Sequence, residues 1–171
     1  MPAKQPEADA QLRATEEFKI PWDLSQWVDS GRILEWVKED VEHLDWQNPR
    51  VVALLESQPQ YRPKLFLILL TWAYGTGRFE TNEICEACLQ DARVRKLCED
   101  QPPPEKSLVR FRRDNRGLLR WALLRLMKRA LREKFDLGSD GFPAGLNRFL
   151  DDAAVLRLDV ARQIDRGSSG F

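Results

Sequence analysis

Between Ser30 and Trp46 the apolar residues Ile33, Trp36, Val37, Val41 and Leu44 recur every three or four positions among polar ones. That period places one apolar stripe along an α-helix. Ser30 is competent to cap its start. Asn48 ahead of Pro49 repeats the start signal, because asparagine caps and proline suits the first turn, and predicts a short helix through Leu55. Pro63 opens a third helix in which Leu65 to Trp72 are apolar nearly all the way round, the pattern of a central helix covered by its neighbours. Gly75 and Gly77 end it. Thr81 then leads into Ile84, Cys88 and Leu89, and a further turn or short helix holds Val94 and Leu97 before Pro102, Pro103 and Pro104 interrupt the chain.

These prolines also prepare a new start, with Glu105 favourable beside the positive end of the helix dipole. Leu108 and Phe111 fall on one side of this helix, while Lys106, Arg110 and Arg113 form a stripe on another. Asn115 and Gly117 mark a break. Leu118 to Phe135 continues as a second helix, with Arg125, Lys128, Arg129 and Arg132 in one stripe. Gly138, Gly141, Pro143 and Gly145 then make a loop, Leu146 to Ile164 forms a terminal amphipathic helix, and Gly167 to Phe171 is expected to fray.

Few runs show the two-residue alternation of strands, so the expected fold class is all-α: a compact multi-helix bundle. Residues 1–20, polar and containing Pro2 and Pro6, are expected to form a disordered arm. The helical domain is expected over 21–135, with the loop, terminal helix and tail over 136–171. At 171 residues and 43% hydrophobic composition the chain can bury a core without disulfides or a structural metal. The run Leu65 to Leu70, with Thr71 to Ala73, is about half of what a bilayer-spanning helix requires. Met1 to Ala10 lacks the apolar stretch of a secretion signal. The expectation is therefore a cytoplasmic protein without membrane association, whose three cysteines remain thiols.

The net charge is zero, yet Lys106 to Lys134 contains eleven basic residues against Asp114 and Glu133, a segment of +9, and the remainder carries −9. Such separation suggests an anionic partner for the segment; it also allows the two parts to associate. Other chemistry is thinner. Cys85 and Cys88 have a C-x-x-C spacing, with Cys98 and the lone His43 elsewhere, but the pair lies within a helical stretch and has no second pair, as buried thiols do. Of the six tryptophans, Trp121 alone stands beside the basic stripe, one turn before Arg125, where it could stack on a base; Trp22, Trp27, Trp36, Trp46 and Trp72 suit core packing. No nucleophile motif or phosphate-binding glycine loop is present, so no cofactor and no small-molecule substrate are expected.

An ordered series carries a resemblance. It begins with a hydrophobic helix ending in Tyr74-Gly75-Thr76-Gly77 and Arg78, followed by a helix around Ile84. Asp91 with Val94-Arg95-Lys96-Leu97 comes next, and then Pro104-Glu105-Lys106-Ser107-Leu108 leading to Phe111-Arg112. The series resembles the N-terminal domain of DDE-type bacterial insertion-sequence transposases of the InsH-like kind, over roughly Leu24 to Phe135 and most strongly from Leu65 to Arg113. Glu105 stands where that family usually has aspartate, and Cys98 where it often has glycine.

The resemblance implies a helix-turn-helix-like unit and double-stranded DNA as the partner, in transposition, DNA recombination or its regulation. An Arg-studded helix can enter a major groove while neighbouring cations neutralise phosphates, which gives the basic segment an independent reason to meet DNA. Arg110 and Arg113 are the candidates for base edges. Arg112, Arg116 and Arg120 suit backbone contacts, Ser107 could donate to a phosphate near the helix start, and Lys106, Arg125, Lys128, Arg129 and Arg132 complete the basic surface.

The family's catalysis needs three carboxylates on an RNase H-like sheet holding two metal ions. The thirty-seven residues after Lys134 are too few for that domain. Asp136, Asp140, Asp151, Asp152, Asp159 and Asp165 read as surface acids, caps and turn residues, so no enzyme activity or metal site is expected of the chain alone. A separate catalytic transposase subunit is one implied partner. The alternative is an interaction or dimerisation module whose basic helix docks on an acidic protein surface, drawing on the apolar residues spread around Leu118 to Leu131. Attraction of the same helix to anionic membrane is a third reading.

Overall fold

In the computed structural model, which describes residues 20–57, 62–136 and 144–168, the first amphipathic segment forms α1, Ser30–Glu42. Its cap is Asp29, not Ser30: the Asp29 carboxylate accepts the Gly31 N–H at 3.1 Å, which satisfies one of the free amides of the first turn. Pro49–Ser57 follows as α2 and Pro63–Gly75 as α3. Then come α4, Thr81–Gln90, and α5, Ala92–Leu97. Glu105–Asp114 is α6, Arg116–Phe135 is α7, and Ala144–Ser168 is α8. Among the described residues there is no strand, and the chain is all-α; a 3-10 turn at Leu24–Gln26 and one isolated bridge between Asp23 and Thr76 complete the regular structure.

The all-round apolar helix occupies the centre. Every residue of α3 from Leu65 to Gly75 is buried, because α1 and α7 pack along it and α4 and α6 cover its end. Gly75 faces α7 closely, and a Cβ there would stand 2.6 Å from Leu126 Cδ2 and push the tip of that leucine aside. Gly77, at φ +79°, turns the chain out of α3 in a region that disfavours a Cβ. Thr76 locks the exit by donating its hydroxyl to the Trp72 carbonyl at 2.9 Å.

The break between α6 and α7 falls at Asn115 alone. Its side-chain amide donates to the Phe111 carbonyl at 2.9 Å, while Gly117 lies inside α7. α7 packs against α1 and α3 on one side and α8 on another, which buries Leu119, Leu123, Leu126, Met127 and Leu131. The apolar residues on which the dimerisation reading drew are thus largely covered within one chain. Leu118 and Leu124 are half-buried against the same core.

Ile20, assigned by sequence to the arm, is buried in the core; the rest of the arm, 1–19, lies outside the described residues. The expected loop is outside them over 137–143, as is the tail over 169–171, whereas Gly145 and Gly167 are helical. No described helix is long and apolar enough to cross a membrane.

Candidate nucleic-acid interface

α6 is positioned by its inner face. Leu108 and Phe111 are buried, and the Phe111 ring meets Phe66 of α3 edge-on at 5.4 Å. The helix turns its other side outward, where Lys106, Arg110 and Arg113 are exposed at spacings of four and three. Lys106 and Arg110 form no ion pair among the described residues, and the one that Arg113 forms among them is with its neighbour Asp114, at 3.1 Å, both side chains being exposed. Ser107, near the start of α6, is half-buried. Glu105 at this terminus accepts the Thr81 hydroxyl at 2.8 Å, tying α6 to α4.

Arg112 departs from the expected phosphate contact. It stands four residues after Leu108, on the inner face, and is 5% exposed. Its guanidinium makes a fork to Asp165 of α8, with Nε donating to Oδ2 at 2.7 Å and Nη2 to Oδ1. Nη1 donates to the Phe79 carbonyl at 2.6 Å. Burial by itself lowers an arginine's pKa, but the Asp165 hydrogen bonds and charge outweigh it, so Arg112 sits above its ordinary value. A side chain with its donors committed inside the fold is unavailable to DNA.

Much of the remaining stripe is answered by acids of the same chain. Arg116 pairs with Asp159 at 2.5 Å, and Arg120 forms a fork with Asp151, which holds the Asp151 carboxyl below the usual range. On the opposite flank of α7, Arg125 lies 3.5 Å from Asp40, and Arg129 reaches Glu39 and Asp40 at 2.8 Å each. Arg132, half-buried, has a partner interaction of its own. Lys128 is half-buried without an ion pair among the described residues. Trp121 is half-buried too, and the Arg125 guanidinium covers its ring at 5.3 Å, so this face is already stacked. Most of these pairs are at the surface, where salt screens them and their contribution is small; their effect is to neutralise the stripe.

Sequence reasoning allowed the basic segment to pair with the acidic remainder but did not identify which acids would do so. The signal was helical register: Asp165 lies seven residues after buried Leu158 and four after buried Ala161, and Asp40 three after buried Val37. An acid in phase with core positions must find a cation. Arg157 follows the same logic in reverse. It is 2% exposed, donates to the carbonyls of Ala153 and Pro21 at 3.0 and 2.9 Å, and lies over the Trp22 ring at 4.7 Å. Burial lowers its pKa to about 10.

Tyr74, 1% exposed at the end of α3, has its phenol pushed up to about 12, chiefly by burial, with the Arg112 charge opposing. An unfolded tyrosine ionises near pH 10, so this contribution to stability is full below about pH 10 and is lost as pH rises toward about 12. In a Tyr61→Phe variant, which leaves Tyr74 as the sole tyrosine, phenolate absorbance is expected to appear with a midpoint near 12. A midpoint near 10 would mean that the hydroxyl is in water.

Among the described residues no group of His, Cys, Asp and Glu could hold a metal. The cysteines lie between α4 and the end of α5. Cys88 and Cys98 are buried with Sγ atoms 3.6 Å apart, and Cys85, half-buried, donates to the Pro103 carbonyl at 3.4 Å. The hydrogen bond with Cys98, together with burial, raises the Cys88 pKa. Alkylation requires an accessible thiolate. Pulsed iodoacetamide labelling with peptide mass spectrometry should therefore modify Cys85 first and the other two only on unfolding; equal rates at all three would contradict this packing.

No family model, no curated protein and no solved structure matches the chain.

Proposed function

We propose that the chain is a duplex-DNA-binding module whose contact surface is the outer face of α6, narrower than the basic segment as a whole. The observation that carries this reading is selective neutralisation. Arg112, Arg116, Arg120, Arg125 and Arg129 are paired with acids of other helices, whereas Lys106, Arg110 and Arg113 stay exposed on one line and lack such partners. A helix presenting cations along one face suits a major groove, with Arg110 and Arg113 at base edges and Lys106 on the backbone. α4, α5 and α6 would then be the helix-turn-helix-like unit that the transposase resemblance implies, with α6 as its reading helix. On this reading the chain recognises or regulates DNA ends in transposition.

The test is fluorescence anisotropy with a labelled random duplex at several salt concentrations. With Lys106 on the backbone and Arg110 and Arg113 close enough to displace further counterions, one to three neutralised phosphates predict that log K falls with log salt at a slope of about −1 to −3. A slope of about −7 would require the internal ion pairs to open and engage DNA; no binding at low salt would overturn the proposal.

A further inference from the structure

A cleft of about 460 Å³ lies between α6 and the last turns of α8, with its inner end at Tyr74. Its floor is apolar, formed by Val109, Leu158 and Ala161 beside the Tyr74 phenol. Around it stand five arginines and a single acid, Asp165, which is already committed to Arg112. Arg116 is held by Asp159, and Arg166 has an interaction of its own. On the α6 wall Arg113 meets only the exposed Asp114, through Nε, among the ion pairs of the described residues, and on the α8 wall Arg162 has no ion pair among them.

A second observation points inward. The Tyr74 hydroxyl is buried, and Arg112 acts on it by charge and hydrogen bonding while Asp165 and Arg116 act on it by charge. A phenol that shares the Arg112 guanidinium with Asp165 and the Phe79 carbonyl keeps hydrogen-bonding capacity to spare. Nothing in the DNA reading uses this hydroxyl, or Arg162.

We infer that this cleft binds a small phosphate monoester with a compact apolar body. The body would lie on Val109, Leu158 and Ala161. The dianionic head would be held between Arg113 and Arg162, two guanidiniums entering from opposite walls and able to share its three terminal oxygens. The Tyr74 hydroxyl supplies a donor or acceptor at the inner end. The volume suits such a molecule, since small-ligand sites combine a mostly apolar concavity with a few polar groups that fix orientation.

The probe is phenyl phosphate, titrated calorimetrically into the full chain, with inorganic phosphate and phenol titrated separately. One phenyl phosphate per chain is expected, bound at least tenfold more tightly than either fragment. Arg162→Gln should weaken it at least fivefold, whereas Arg148→Gln, an exposed α8 position outside the cleft, should leave it unchanged. Because Arg162 is exposed, its loss tests the site without removing core packing. Inorganic phosphate binding as tightly as phenyl phosphate would reduce the site to an adventitious ion only; so would an Arg162→Gln variant of undiminished affinity. Failure of phenyl phosphate to bind at all would overturn the inference outright. A Lys106→Ala, Arg110→Ala variant separates this result from the DNA reading: it should lose duplex affinity and keep phenyl phosphate.

Discussion

Replacing Asp165 by asparagine is expected to destabilise the fold by about 3–5 kcal/mol, the usual cost of leaving a buried charge without its partner. The guanidinium of Arg112 is the charge left behind. Its side chain is 3% exposed and that of Asp165 18%, so little water reaches the guanidinium in place of the lost carboxylate. Arg112→Ala should cost a similar amount, because it also strips the Phe79 carbonyl of its donor and leaves a void beside Tyr74.

The combined Arg112→Met, Asp165→Leu variant should recover much of the loss, since an apolar pair avoids the desolvation that the ion pair has to offset. Urea unfolding of the three variants measures all of this. A loss below about 1 kcal/mol for Asp165→Asn would mean that the pair behaves as a surface one. For the site, the contact places α6 as well as stabilising it: Arg112 holds the inner face of that helix, and Lys106, Arg110 and Arg113 follow from its rotation.

The second large effect is on DNA. Lys106→Ala combined with Arg110→Ala and Arg113→Ala is expected to abolish measurable duplex binding while the helical circular dichroism signal is unchanged, because all three side chains are exposed and none supports the core. If each contact contributes about 1–3 kcal/mol, losing three weakens binding by at least a hundredfold. The mirror-image control is Arg120→Ala with Arg125→Ala, two positions that a count of charges ranks equally. Their partners are Asp151 and Asp40, so this variant should keep duplex affinity within a few fold. Retained binding by the α6 variant, or loss in the α7 control, would transfer the interface from α6 to α7.

How much of this was legible in the sequence differs from element to element. α3 was readable because a helix apolar on every side has to be central, and α6 because Leu108 and Phe111 set its inner face and leave Lys106, Arg110 and Arg113 opposite. The +9 segment was readable only as a count. A charge total carries no information about which carboxylates stand across from it, and Asp151, Asp159 and Asp165 are separated from their arginines by 31, 43 and 53 positions.

By itself, then, the sequence determined the helices and most of their apolar faces, with some ends displaced by up to about a turn, since these depend on periodicity, capping residues, proline and glycine acting within a few positions. Only the tertiary structure decided which cations remain available. α8 lies against α7 and brings its acids to Arg112, Arg116 and Arg120, while α1 brings Glu39 and Asp40 to Arg125 and Arg129. The physical reason is range: hydrophobic periodicity is a local property of one helix, whereas neutralising a charge depends on distances that exist only after the helices have packed.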